Sequence, residues 1–315
     1  MIRIKLSAKY YLFLRLLGNE RRSPELYPDH PAGKVKRIST EGPTMTLSGA
    51  LAQADANLPS ALERLFEFVR IPSVSTDPAY TADCERAADW LVAELSSLGA
   101  TASVHPTEGH PMVIGKLGDT GPHLLFYGHY DVQPVDPLEL WELPPFEPMI
   151  IDSPSGQVIR GRGASDDKGQ LMTFLEAIRA WQKAIGHLPV RITFLFEGEE
   201  EMGSPTIKPF LREHVETLAA DLAVICDTRM YDGRVPAIVT SLRGLLGQEV
   251  TLTAADRDLH SGGYGGPAAN PLRLLSRALA TLHDDMGRVT LPGFYDGVPE
   301  LDDVQRADWE KLGMD

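Results

Sequence analysis

One histidine and several carboxylates follow apolar segments of this chain, and residues of these types bind divalent metals. His129 and Asp131 lie two residues apart in LLFYGHYDVQP, so in extended chain their side chains point to the same side. A carboxylate in that position can accept the second ring N–H of a metal-bound imidazole and so fix its tautomer. The alternative is that the pair forms only the polar end of a strand.

Two adjacent aspartates occur in the segment GRGASDDKGQ. Asp166 and Asp167 precede a predicted helix, where they could be no more than N-cap and first-turn residues. The other interpretation is a carboxylate that bridges metal ions. For this segment taken alone, both interpretations stay open.

A run of three glutamates, residues 199–201, lies in FLFEGEEEMGS after a predicted strand. Such a run is usually a solvated face. In two-metal hydrolysis, however, one carboxylate holds an ion and its neighbour takes a proton from the attacking water.

Asp227 follows the apolar run LAVIC. A buried carboxylate at that position would need a compensating partner such as a metal ion.

A further histidine, His260, lies in the glycine-rich segment DLHSGGYGG. A lone histidine is more often structural than catalytic, so this segment does not by itself indicate a site.

Taken together, the candidate residues provide one imidazole and several carboxylates. This set of ligands suits zinc, manganese or cobalt better than magnesium or calcium.

The elements that must position these residues are short apolar runs that alternate with helical patterns. This alternation predicts a layered α/β domain with a mostly parallel sheet and helices on both faces. Ligands of such sheets gather outside the carboxyl ends of the strands, which is where the candidate residues fall. Strands are predicted at 112–117, 124–127, 190–196, 222–225 and 237–240.

Composition divides the chain into three parts. Residues 1–44 are predicted to be a disordered tail or the product of a start placed too far upstream, with Met45 as the biological start. Residues 45–243 form the predicted catalytic domain. Residues 244–315 begin a second, α+β domain with a half-exposed strand at 245–254. One strand and one helix cannot bury a core alone, so this domain is expected to be incomplete.

The charge and cysteine content exclude several classes of protein. The formal net charge of −14 disfavours a nucleic-acid binder, which usually presents a basic surface. Two cysteines provide no disulfide framework and fit a reducing, cytoplasmic compartment. No apolar run approaches the about 20 residues that a membrane span needs.

The segments GHYDVQP, GRGASDDKG, EGEEEMGS and DLHSGGYGG, in this order, resemble the two-metal peptidases of the cytosolic nonspecific dipeptidase and carnosinase family. More distant relatives of that family are carboxypeptidase G, aminoacylase, acetylornithine deacetylase and succinyl-diaminopimelate desuccinylase. The resemblance runs from about residue 57 to the end of the chain. The residues of DVQP, SDDKG and HSGGYGG resemble the dipeptidases more than the deacylases.

The resemblance implies a zinc-peptidase fold and a ligand set for two divalent ions, zinc first, with manganese or cobalt as alternatives. Asp166 would bridge both ions, and His129 and Asp227 would complete one site. Glu201 would bind the other ion, and Asp131 would orient the imidazole.

The resemblance also implies catalytic roles and an assembly. Glu200 would be the general base, and His260, on a lid and dimerisation domain, would stabilise the oxyanion in the neighbouring subunit of a homodimer. The peptide bond between Asp166 and Asp167 would be cis. The substrate would be a small peptide, with neither nucleic acid nor membrane as a partner.

One departure from the family pattern opens alternatives. The family's last metal-binding histidine follows the lid, whereas this sequence stops at Asp315, within the predicted lid. The chain is therefore expected to be C-terminally truncated, as a fragment, a frameshift or a gene-model error would explain. Three functions stay open: a dipeptidase, an N-acyl amino-acid amidohydrolase with the same chemistry, and an inactive remnant.

Overall fold

The structure, a computed structural model, describes residues 2–3, 47–154, 156–228, 230, 238–239, 247 and 249–313. The chain forms two compact units, Met1–Ser241 and Leu242–Asp315. The predicted tail, residues 1–44, lies outside the described residues except for positions 2 and 3. Among the described helices, none combines the length and the apolar character that crossing a membrane requires.

The strands of the described residues all belong to the first unit. They are β1 (Ile2–Arg3), β2 (Thr101–His105), β3 (Met112–Leu117), β4 (His123–His129), β5 (Met149–Ser153), β6 (Gly156–Arg160), β7 (Arg191–Glu197) and β8 (Leu222–Ile225). Five of them form the central sheet in the order β2-β3-β7-β4-β8. In this mixed sheet β4 runs parallel to β7 and β8, whereas β3 is antiparallel to both β2 and β7. The strands β1, β6 and β5 form a separate antiparallel sheet.

Helices cover both faces of the central sheet. The first unit contains α1 (Leu47–Ala56), α2 (Leu58–Val69), α3 (Thr81–Ser97), α4 (Lys168–Ile185), α5 (Ile207–Glu213) and α6 (Val215–Leu218). Because side chains alternate along a strand, β3, β4 and β7 each contribute to two apolar layers. Helices α1–α4 pack in the larger layer, and α5 and α6 pack in the smaller one. The predicted α/β class with helices on both faces is confirmed.

Aromatic packing anchors the larger layer against β4. Phe126 of β4 stacks on Phe174 of α4, with ring centroids 3.5 Å apart. Phe194 and Phe196 of β7 approach the same Phe126 ring edge-on. This packing fixes the β4–β7 pair, whose carboxyl ends carry candidate site residues.

Most strand predictions for the first unit agree with the structure. The runs at 112–117 and 222–225 have the observed bounds of β3 and β8, and those at 124–127 and 190–196 overlap β4 and β7. Of the run at 237–240 only positions 238–239 are described, and they lie outside any strand. The polar β2 and the β5–β6 hairpin escaped prediction because neither contains a long apolar run.

The second unit is helical in its described part, with α7 (Ser261–Tyr264), α8 (Pro271–Ala280) and α9 (Asp303–Lys311). The predicted strand at 245–254 is wrong over 249–254, which pair with no strand among the described residues. Alternation of apolar and polar residues produces a stable strand only where other strands or a helix pack against it.

Candidate metal centre

The candidate ligands gather at the carboxyl edge of the parallel strands. His129 ends β4 and lies opposite Glu197, which ends β7. Tyr127 lies opposite Ile225, which ends β8. Because the three strands run in the same direction, the segments that follow them leave the sheet at one edge, where α/β proteins bind ligands.

Three of the predicted metal ligands converge at this edge. His129, Asp166 and Asp227 each offer one ligand atom, and these atoms lie within 4.8 Å of one another. The His129 Nε2 atom is 3.2 Å from Asp166 Oδ1 and 3.9 Å from Asp227 Oδ2. One imidazole and two carboxylates are donors that suit a divalent ion of the zinc class, so these residues fit a metal.

The exposure of the three residues differs. The His129 side chain is fully buried, whereas the side chains of Asp166 and Asp227 are 60% and 38% exposed. The Asp227 carboxylate is therefore not the buried one that the preceding apolar run suggested. The reason is that β8 is an edge strand of the described sheet and is itself largely exposed.

The carboxylates around His129 favour a cation at this position. Burial by itself lowers the pKa of His129, but hydrogen bonds to Asp131 and Asp166 outweigh it and raise the pKa to about 11. The same negative groups that hold a proton on the imidazole would also attract a divalent ion.

The two adjacent aspartates play different parts. The peptide bond between Asp166 and Asp167 is cis, as the family resemblance implied. Asp167 is buried, and its Oδ2 atom accepts hydrogen bonds from the His129 N–H at 3.2 Å and from the Cys226 thiol at 3.1 Å. Burial raises the pKa of Asp167 to about 7. Asp166 thus belongs to the ligand cluster, while Asp167 contacts the backbone behind it.

Asp131 lies behind the imidazole, on the side away from the cluster. The His129 Nδ1 atom is 3.2 Å from Asp131 Oδ1 and 3.1 Å from the Asp131 carbonyl oxygen. The Asp131 carboxylate is fully buried and also accepts the backbone N–H groups of Glu200 and Glu201, at 3.2 and 3.1 Å. One carboxylate therefore contacts both the imidazole and the glutamate segment.

Glu200 and Glu201 have different surroundings. Glu200 Oε2 is 3.9 Å from His129 Nε2, and the Glu200 side chain is 38% exposed, so it borders the cluster and is open to solvent. Glu201 is not among the three converging residues; its Oε2 atom accepts a hydrogen bond from the Gln133 side chain at 2.7 Å. Burial is the largest cause that raises the pKa of each glutamate.

Glu199, the first residue of the acidic run, is buried and fully engaged in hydrogen bonds. One carboxylate oxygen accepts the His110 N–H at 3.0 Å. The other accepts the Thr206 N–H at 3.2 Å and the Thr206 hydroxyl. Glu199 therefore joins two loops, and both of its carboxylate oxygens are engaged by groups outside the cluster.

Replacing Glu199 by glutamine is expected to lower the free energy of unfolding by about 1–3 kcal/mol, because an amide NH₂ would then face N–H donors in a buried site. Chemical denaturation of the two proteins measures this loss. Glu200→Gln is the matched control and should unfold like the wild type, because Glu200 is half-exposed. Unchanged stability of Glu199→Gln would contradict the structural role.

His260 belongs to the second unit. It is exposed, and its Nδ1 atom accepts the N–H of Gly262 at 3.0 Å, which caps the short helix α7. The histidine of the DLHSGGYGG segment thus makes a local structural contact, and its catalytic role stays a prediction.

Sequence reasoning missed two residues that contact the site. Ser75 donates its hydroxyl to Asp131 Oδ2 at 2.6 Å, and Gln133 donates to Glu201. Neither side chain is a usual ligand of a zinc-class ion, so a search for metal ligands passes over both. Gln133 stands in the recognised segment GHYDVQP, which could have indicated it, whereas nothing local distinguishes Ser75 from other loop serines.

Comparison with known proteins agrees with this geometry. The sequence profile of peptidase family M20/M25/M40 matches residues 125–304. The chain is 33% identical to the Cys-Gly metallodipeptidase DUG1 of Candida albicans over 264 residues, which cover 78% of this chain and 54% of that protein. It is 32% identical to the human Beta-Ala-His dipeptidase over 209 residues, 65% of this chain and 40% of that protein.

Solved structures of the same family share the fold. The M20 family metallo-carboxypeptidase Sso-CP2 from Sulfolobus solfataricus matches with a TM-score of 0.63 and 32% identity, over 81% of this chain and 57% of that one. Human carnosine dipeptidase 1 matches with a TM-score of 0.63 and 25% identity, over 85% and 59%. The chain thus spans about half the length of the relatives it matches. With a matching profile and a ligand cluster at the expected strand ends, this chain belongs to peptidase family M20/M25/M40.

Proposed function

We propose that this chain carries the catalytic metal centre of a peptidase that hydrolyses dipeptides or short peptides. The observation that supports it most is the convergence of His129, Asp166 and Asp227 within 4.8 Å, with Glu200 beside them. The relatives are named for the hydrolysis of Cys-Gly and Beta-Ala-His dipeptides, which supports a dipeptide substrate.

The proposed centre holds two divalent ions, zinc first, with manganese or cobalt as alternatives. His129, Asp166 and Asp227 would hold one ion, and Asp166 and Glu201 would hold the other. Bound ions of this kind polarise a carbonyl group and lower the pKa of a water molecule. Occupation of the second position would require Glu201 to give up its hydrogen bond to Gln133.

The protein's own residues move the protons. Glu200 would accept a proton from the attacking water and return it to the leaving amine. Its exposure lets water reach the carboxylate, and its backbone N–H, held by Asp131, keeps it beside the cluster. The family resemblance adds a cytoplasmic homodimer in which His260 would stabilise the oxyanion.

The proposed function is tested by purifying the protein with zinc, manganese or cobalt, counting the bound ions and assaying a substrate panel. We expect hydrolysis of Cys-Gly or Beta-Ala-His, loss of that activity on chelation, and its return when metal is added. Faster cleavage of N-acyl amino acids than of dipeptides would indicate an amidohydrolase instead. A protein that neither retains metal nor cleaves either class would be an inactive remnant.

A further inference from the structure

The Asp131 carboxylate is the point where four separate groups meet behind the candidate metal centre. It is fully buried, so its charge needs compensation by donors within the protein. Those donors are the Ser75 hydroxyl, the backbone N–H groups of Glu200 and Glu201, and His129, whose Nδ1 atom lies 3.2 Å away. The orientation of this carboxylate therefore links the position of the imidazole to that of the glutamate segment.

The serine contact is the shortest of these, at 2.6 Å. It reaches Asp131 Oδ2, which among the described residues otherwise receives only the Glu201 N–H. Without the hydroxyl, one carboxylate oxygen would lose its strongest donor and the carboxylate could rotate. Rotation would disturb its contacts with His129 and with the amides of Glu200 and Glu201 together.

Ser75 is itself held rigidly enough to orient its neighbour. Its segment forms a parallel bridge between Val74 and Val132, and the Val132 N–H donates to the Ser73 carbonyl at 2.9 Å. The ring of His110 lies with Nε2 2.9 Å from the Ser75 carbonyl oxygen. The hydroxyl therefore acts from a buried, fixed segment rather than from a mobile loop.

We infer that Ser75 is a positioning residue of this metal centre, which holds Asp131 in the one orientation that serves both His129 and the segment bearing Glu200. The inference rests on the proposed function for its consequence, because it links a metal ligand to the candidate base. It adds a residue from a segment that contributes no ligand. Partners of this kind, which contact a ligand and not the metal, typically change metal affinity by about 10–100-fold when they are lost.

The chain offers a matched control two residues away. Ser73 is equally buried and donates its hydroxyl to the Tyr130 carbonyl oxygen at 2.7 Å, so it also loses one buried hydrogen bond when replaced by alanine. That bond goes to the backbone and not to the Asp131 carboxylate. Comparing Ser75→Ala with Ser73→Ala thus separates the loss of any buried hydroxyl from the loss of this one.

The experiment measures zinc affinity by chelator competition, and amide hydrogen exchange across the Glu200–Glu201 segment, in the full chain. We expect Ser75→Ala to bind zinc about 10-fold more weakly and to exchange the Glu200 and Glu201 amides faster. Ser73→Ala should keep both properties close to wild type, and Ser75→Thr, which retains the hydroxyl, should restore them. Equal changes in Ser75→Ala and Ser73→Ala, or no change in either, would overturn the inference.

Two further results keep the test decisive. If Ser75→Ala does not fold, Ser75→Cys keeps the shape with a weaker donor, and wild-type affinity and exchange in that variant would refute the positioning role. If the wild-type chain itself binds no zinc, the proposed metal centre fails. The amide exchange of Glu200 and Glu201 still decides in that case whether Ser75 orients Asp131, because it needs no metal.

Discussion

Replacing Glu200 by glutamine is expected to reduce the turnover of dipeptides by about 10²–10⁴-fold while metal binding stays nearly unchanged. The amide keeps the shape of the side chain but cannot accept the proton of the attacking water. Measuring kcat and the metal content of the same preparations, in protein that hydrolyses dipeptides, tests the prediction.

Glu199 and Glu200 are adjacent in the sequence but have different surroundings. Glu200 borders the cluster with a half-exposed side chain, whereas Glu199 is buried with both oxygens engaged by His110 and Thr206. We therefore expect Glu200→Gln to lose turnover and keep its stability, and Glu199→Gln to lose stability first. Retained kcat in Glu200→Gln would show that another group is the base.

Replacing Asp227 by alanine is expected to weaken zinc binding by more than the roughly 10–100-fold that the loss of an outer partner costs. The reason is that Asp227 is one of only three ligand groups that converge at the cluster within the described residues. Zinc affinity, measured by competition with a chelator, checks the result.

The control for this variant lies at the other end of the same strand. Asp221 directly precedes β8 and accepts the His123 N–H at 2.8 Å, far along the strand from the cluster. Asp221→Ala therefore removes an aspartate next to the opposite end of β8, leaves the ligands in place and should bind zinc like the wild type. Equal affinity of Asp227→Ala and Asp221→Ala would remove Asp227 from the site.

Much of the central sheet could be predicted because most of its strands coincide with short runs of apolar residues in the sequence. The runs that became β3, β4, β7 and β8 consist mostly of apolar residues, so their composition alone identifies them. Helix α4 lies between β4 and β7 in the chain, and α5 and α6 lie between β7 and β8. Helical connections of this kind join parallel strands, as observed for β4, β7 and β8. The strand predicted at 245–254 is absent over 249–254 because alternation says nothing about whether another strand lies beside it.

The sequence by itself determined the α/β class, the family and the strand ends near which His129 and Asp227 lie, since parallel strands bring their carboxyl ends to one edge. Asp166 joins them from the loop before α4. Only the tertiary structure decided how the acidic run divides, with Glu199 engaged by the distant His110 loop and by nearby Thr206, and Glu200 beside the imidazole. It also brought in Ser75, which is 56 residues from Asp131 along the chain. Such hydrogen bonds depend on how separate segments pack against one another, and no local pattern of residue types encodes that packing.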